Sequence, residues 1–208
     1  MRIAEETGLI GELTFNILRR ACREALHWPS AARISLNIAP LQLQDPALPL
    51  KLLQVLSECG FPPARLEIEI TEDALVRDFE AARTILESLK NLGVRVALDD
   101  FGTGYSSLRH LRELPFDVLK IDASFVHSMN DSDEAMTIVR TIVQLAKSLG
   151  LGITAEGIET QAQAQELRVL GCDRGQGFLL GRPAEHPLEA PAADEVAQAP
   201  LLASKPAA

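Results

Sequence analysis

The sequence predicts an α/β chain of the TIM-type (β/α) barrel class, on three observations. Short strand-like runs alternate with helical runs along most of the chain, the strand-like runs keep one alternation of apolar and polar residues, and polar groups fall in the same phase near their C-terminal ends. Strand–helix–strand repeats of this length join parallel strands by right-handed crossovers. Side chains alternate across a strand, so the shared phase puts polar groups on the face turned from the helices, a barrel interior converging on one mouth. An open doubly wound sheet would bury both faces in apolar residues.

The first element is a helix: Ile10, Leu13, Ile17, Ala21 and Ala25 recur every three or four positions between Ile10 and Leu26, and Pro29 is its stop signal. Strand-like runs follow at Arg33 to Ile38, Arg65 to Ile70, Val94 to Asp99, Val118 to Asp122, Gly152 to Glu156 and Cys172 to Phe178. Helices are expected around Leu50 to Cys59, Phe79 to Leu92, Glu134 to Leu149 and Thr160 to Leu170. In the first strand Ile34, Leu36 and Ile38 oppose Ser35 and Asn37; in the second Leu66, Ile68 and Ile70 oppose Glu67 and Glu69. In the third Val94, Val96 and Leu98 oppose Ala97 and Asp99. Leu119 and Ile121 oppose Lys120 in the fourth, and Ile153 and Ala155 oppose Thr154 and Glu156 in the fifth. After Arg182 the prolines 183, 187, 191, 200 and 206 interrupt Ala-rich sequence without periodicity, so one domain over 1–183 and a disordered tail over 184–208 are expected.

A chain of 208 residues with 47% hydrophobic content sustains one buried core. A formal charge of −9 excludes a non-specific binder of nucleic-acid polymers, which needs a basic surface, but not a small phosphate ligand held through divalent cations. Cys22, Cys59 and Cys172 show no CxxC spacing and read as buried thiols in a reducing compartment. The N-terminal MRIAEETG has no apolar signal core, and no stretch approaches the roughly 18 apolar residues of a membrane span, so a cytoplasmic protein is expected.

Asn37, Glu69, Asp99, Asp100 and Glu156 would gather several carboxylates and an amide oxygen at one mouth, which calls for positive charge. Oxygen-only ligands suit Mg²⁺ or Mn²⁺ rather than zinc, and adjacent Asp99 and Asp100 allow two ions to share a site about 3.5 to 4 Å across. Such a pair activates water and stabilises the leaving oxygen in phosphodiester hydrolysis, and Lys120, in the same inward phase, would orient the water or neutralise charge. Any single inward acid has a structural reading too, as a hydrogen-bonded cap or a buried pair, which five strands in one phase make harder to sustain; Glu67, one layer deeper than Glu69, is read as structural. Gly175 and Gly177 form no dinucleotide fingerprint. The histidines at 27, 110, 127 and 186 lack ligand spacing, and Arg19, Arg20 and Arg23 read as a solvated helix face.

The motifs IEITE, LDDFGTGYSSL, LKID, TAEGIET and GQGFLLGRP occur in that order, and between about Ala4 and Pro183 the chain resembles an EAL-type domain, the cyclic-di-GMP phosphodiesterase family of bacterial signalling. The resemblance implies hydrolysis of cyclic-di-GMP to linear pGpG at a two-metal site. By motif, Asn37 in NIA and Glu69 would hold one metal, Asp99 would bridge both, and Asp100 and Glu156 would serve the second, with Glu156 also as general base. Lys120 would hold the catalytic water, Glu159 and Gln176 would support the site, and Glu72 would anchor the FGTGYSS loop, which in the family couples metal binding to homodimerisation. The Glu-Ala-Leu segment is absent, which implies about six of the eight barrel strands and a metal site short of one ligand. Ala39, Ala123 and Leu180 stand where the family usually has Ser, Arg and an aromatic. Three readings follow: a phosphodiesterase, a catalytically silent module that binds cyclic-di-GMP or a protein, and a gene fragment with an open barrel edge.

Overall fold

Strand and helix alternate through the residues that the computed structural model describes, 7–28, 32–76, 78–103, 108–184 and 202–203. They fall into two units. The first holds the described residues up to Leu98 and those of 108–116, the second those of Asp99–Thr103 and from Asp117 onward.

The first unit begins with helix α1 (Ile10–Ala25), strand β1 (Ile34–Asn37), helix α2 (Leu48–Cys59) and strand β2 (Leu66–Thr71). Helices α3 (Glu72–Val76) and α4 (Phe79–Asn91), the start of strand β3 (Arg95–Phe101) and helix α5 (Leu108–Glu113) follow. β1 and β2 pair in parallel from Ile34↔Leu66 to Asn37↔Glu69, which sets Asn37 and Glu69 side by side at the C-terminal ends. Residues 66–70 are buried on both faces: Leu66, Ile68 and Ile70 enter the apolar core, while Glu67 and Glu69 are enclosed on the other side. Glu67 meets Arg95 at 3.1 Å, the structural pairing expected of it. Asp78 caps α4 by accepting from the Ala81 N–H, and Gly60, at φ 65°, ends α2.

The buried face of α1 corrects the sequence reading. Ile10, Thr14, Leu18, Cys22 and Ala25 are buried, while Leu13 is exposed and Ile17 and Ala21 are only partly covered. Thr14 donates to the Gln42 side chain at 3.4 Å and Cys22 packs as a small apolar group, so the inward stripe includes a hydroxyl that a hydrophobicity count passes over. Cys59 is a second correction: it is half-buried, its thiol donating to the Arg19 carbonyl oxygen at 3.8 Å. Arg19 and Arg20 pair with Glu58 and Glu24 on the helix exterior.

The second unit takes up β3 at Asp99 and continues with strand β4 (Val118–Ile121), helices α6 (Ala123–Ser128) and α7 (Asp133–Ser148), strand β5 (Gly152–Ala155), helix α8 (Gln161–Leu170) and strand β6 (Arg174–Gly175). β4 pairs in parallel with β5 from Val118↔Gly152 to Ile121↔Ala155, placing Lys120 opposite Thr154, and β5 pairs in parallel with β6. Each long helix starts on a side-chain cap: Ser132 accepts from Ala135 N–H, and Thr160 and Gln163 form a reciprocal capping box. β6 is shorter than the expected run of Cys172 to Phe178. The ladder stops because the chain turns at Gly177, whose carbonyl oxygen accepts from the N–H groups of Leu180 and Gly181. Helices α3, α5 and α6, of five or six residues each, were not expected; they are too short to show a 3.6-residue period. Of the expected tail, residues 185–201 and 204–208 lie outside the described residues; Leu202–Ala203 forms strand β7, paired with β6. Among the described residues no helix is long and apolar enough to cross a membrane.

Candidate active site

The end of β3 is where local backbone decides the chemistry. Strict alternation would send the side chains of Asp99 and Asp100 to opposite faces. Asp100 instead adopts φ 53°, the left-handed region that Asp tolerates better than most residues. The turn is fastened by the Thr103 hydroxyl donating to the Asp100 carbonyl oxygen at 2.9 Å, and the Asp99 carboxylate accepts from the Asp100 N–H at 3.0 Å. Both carboxylates thereby join Glu156, with one oxygen from each of the three acids within 4.8 Å of the others.

Lys120 lies in the middle of β4, its side chain only 4% exposed. Its ammonium group stands 3.0 Å from Asp99 Oδ1 and 2.6 Å from Glu156 Oε1. Among the described residues, three carboxylates gather here with one ammonium in a poorly solvated place. Burying unbalanced ions costs several kcal/mol each, which a hard divalent cation offsets. The donor set is all oxygen, the chemistry that Mg²⁺, Mn²⁺ and Ca²⁺ take and that zinc does not favour.

Glu156 follows directly on β5, and the loop it begins is held on two sides. On one, Gln176 N–H donates to the Ala155 carbonyl at 2.8 Å, Ile158 N–H to the Gln176 carbonyl at 3.0 Å, and Leu179 N–H to the Ile158 carbonyl at 3.0 Å. Gly177 is required there, because a methyl group would overlap the Ile158 backbone. On the other side Gly157, at φ 68°, lies against α6, where a side chain would come within 2.6 Å of Ala123 Cβ and 2.8 Å of His127 Nε2. Sequence reading finds no dinucleotide fingerprint at Gly175 and Gly177 and gives Gly177 no other role; the signal for it lies in a close approach between segments about 20 residues apart.

The other expected site residues are placed as follows. Asn37 is exposed at the end of β1 and Glu69 is buried beside it on β2, both in the first unit. Glu72 is buried at the start of α3; residues 104–107 of the FGTGYSS loop lie outside the described residues. Glu159 is half exposed, 3.8 Å from His127 Nε2, and is not one of the three clustered acids. Gln176 contributes the backbone ties just described.

The profile of the EAL domain matches residues 1–183. An uncharacterized signaling protein of Caulobacter vibrioides is 49% identical over 182 residues, 88% of this chain and 22% of that protein. MucR of Pseudomonas aeruginosa, a bifunctional diguanylate cyclase/cyclic di-GMP phosphodiesterase, is 43% identical over 186 residues, 87% of this chain and 27% of MucR. The chain thus spans about a quarter of the length of these curated relatives. Among solved structures, the PaMucR phosphodiesterase in complex with c-di-GMP superimposes with a TM-score of 0.84 at 39% identity, covering 94% of this chain and 78% of that one. Klebsiella pneumoniae BlrP1 in a manganese/cyclic-di-GMP complex gives 0.76 at 30% identity, covering 83% of this chain and 45% of that one.

Proposed function

Because the chain belongs to the EAL domain family and has its TIM-type α/β fold, we propose that it is a metal-dependent phosphodiesterase that opens cyclic-di-GMP to linear pGpG. The observation that carries this reading is the convergence of Asp99, Asp100 and Glu156 around Lys120. Asp99, Asp100 and Glu156 would hold a divalent cation, Mg²⁺ or Mn²⁺, and the family resemblance adds Asn37 and Glu69 as metal ligands. Bound there, the ions lower the proton affinity of water and offset charge on the phosphoryl oxygens.

Glu156 acts as general base, accepting a proton from the attacking water. The water's hydroxyl joins phosphorus, the bond from phosphorus to the 3′-oxygen breaks, and that oxygen leaves with a proton, which gives pGpG with a 5′-phosphate. Lys120, fixed by two carboxylates, presents its ammonium to the water and the charged phosphoryl group. Glu159 and Gln176 support the loop that carries Glu156. Glu72 anchors the FGTGYSS loop, through which two chains pair in the cytoplasm.

The test is turnover by metal-stripped chain before and after addition of Mg²⁺ or Mn²⁺, with pGpG followed by chromatography. Product that appears only with metal supports the reading. Equal turnover in chelator, or none with metal from a chain that binds cyclic-di-GMP, would overturn it.

A further inference from the structure

Gln163 is 5% exposed on the first turn of α8 and uses both ends of its amide. Its Oε1 accepts from the N–H groups of Glu159 and Thr160 at 2.9 and 3.0 Å. Its Nε2 donates to the carbonyl oxygen of Val126 at 3.1 Å. The bond from Thr160 closes the capping box and the one from Glu159 lies just outside it; a glutamate oxygen accepts both equally well. The bond to Val126 is different. It reaches a carbonyl in the last turn of α6, where helix oxygens lack intrahelical partners, and only a side chain that accepts and donates at once can make both connections.

The two segments it joins are those that follow the central charged pair. α6 begins two residues after β4, which carries Lys120, and residues 156–160 lead from β5 to α8. The Lys120–Glu156 distance of 2.6 Å is therefore braced from outside by one buried amide, alongside the close contact of Gly157 with α6.

We propose that Gln163 is a positioning residue for the metal and base site: by tying residues 159 and 160 to Val126 it holds Glu156 at the spacing from Lys120 that cation binding and proton transfer require. For turnover the inference rests on the phosphodiesterase reading; for cation binding it does not.

The experiment compares Gln163→Glu, Gln163→Ala and Thr160→Ala in the full chain, measuring Mn²⁺ affinity by calorimetry, amide exchange at residues 159 and 160, and turnover. An ionised carboxylate at 163 keeps the capping bonds but offers Val126 no proton. Protonated, it reproduces both connections of the amide. At alkaline pH, Gln163→Glu is expected to lose about 10–100-fold in Mn²⁺ affinity and kcat, as outer partners of metal sites do, with 159 and 160 still protected. Its ratio to wild type should recover as the pH is lowered, whereas Gln163→Ala shows fast exchange and no recovery. Thr160→Ala weakens the helix start but leaves the Val126 bond, and should hold Mn²⁺ within about twofold of wild type. Gln163 variants that fold and bind Mn²⁺ like wild type would overturn the proposal. So would an equal loss in Thr160→Ala, or a Gln163→Glu deficit that ignores pH. If Gln163→Ala does not fold, Gln163→Glu at low and high pH decides. A wild type that binds Mn²⁺ without hydrolysing cyclic-di-GMP would fail the phosphodiesterase reading and leave the affinity test intact.

Discussion

Replacing Lys120 by methionine removes the ammonium and keeps most of the side chain's length. Asp99 and Glu156 then lose a cation held at 3.0 and 2.6 Å, and their side chains are only 11% and 18% exposed, so water compensates little. Removing one partner from a buried ion pair typically costs about 3–5 kcal/mol. The ammonium's own desolvation is relieved and the methionine packs, which places the expected loss near the low end, about 3 kcal/mol. In urea with chelator present, a slope of about 2 kcal/mol/M turns that into a midpoint lowered by roughly 1.5 M. Mn²⁺ should then stabilise the variant more than wild type, because the ion replaces the missing charge; at 100 times its Kd a ligand contributes about 2.7 kcal/mol. Turnover should fall about 100-fold or more even with metal bound. An unchanged midpoint in chelator, or a smaller Mn²⁺ stabilisation in the variant, would refute the charge argument.

Gly177→Ala puts a methyl onto the Ile158 backbone. The loop must shift, and kcat should drop about 10–100-fold with faster amide exchange at 158; unchanged kcat would show that the loop's position is not critical. Arg95→Met deprives the buried Glu67 of its 3.1 Å partner; since Arg95 is about a quarter exposed, urea unfolding should report about 2 kcal/mol lost, and a loss under about 0.5 would make the pair incidental. Burial pushes the thiols of Cys22 and Cys172 up to about 12, so iodoacetamide should label Cys59 first and leave the other two until the chain unfolds. Rapid labelling of all three, read by mass spectrometry, would contradict their burial. Because both folded values lie above the unfolded 9.0, the stability these thiols contribute is complete below pH 9.0 and is lost as the pH rises toward about 12.

The strand phase was legible because a period of two ties each polar residue to a face: Glu67, Glu69, Lys120 and Thr154 are all buried opposite their apolar neighbours. Asp100 was not legible by that rule. Alternation sends it away from Asp99, and only a left-handed backbone at that residue brings it to Glu156. The middle of the α1 face was misphased by one position because Thr14 does not register as apolar, and Leu13, Ile17 and Ala21 repeat with the same spacing as the buried Thr14, Leu18 and Cys22. Gln163 and Gly177 escaped because their meaning lies in contacts to Val126 and Ile158, which no local pattern encodes. The short helices α3, α5 and α6 offer fewer than two turns, too little to carry a periodic signal.

The most direct test of metal-dependent hydrolysis is wild type beside Glu156→Gln, each with cyclic-di-GMP and saturating Mn²⁺, with pGpG quantified by chromatography. The account expects pGpG from wild type and at least about a 100-fold lower rate from the variant, which keeps the side chain's shape but loses its charge and basicity. Equal rates would contradict it.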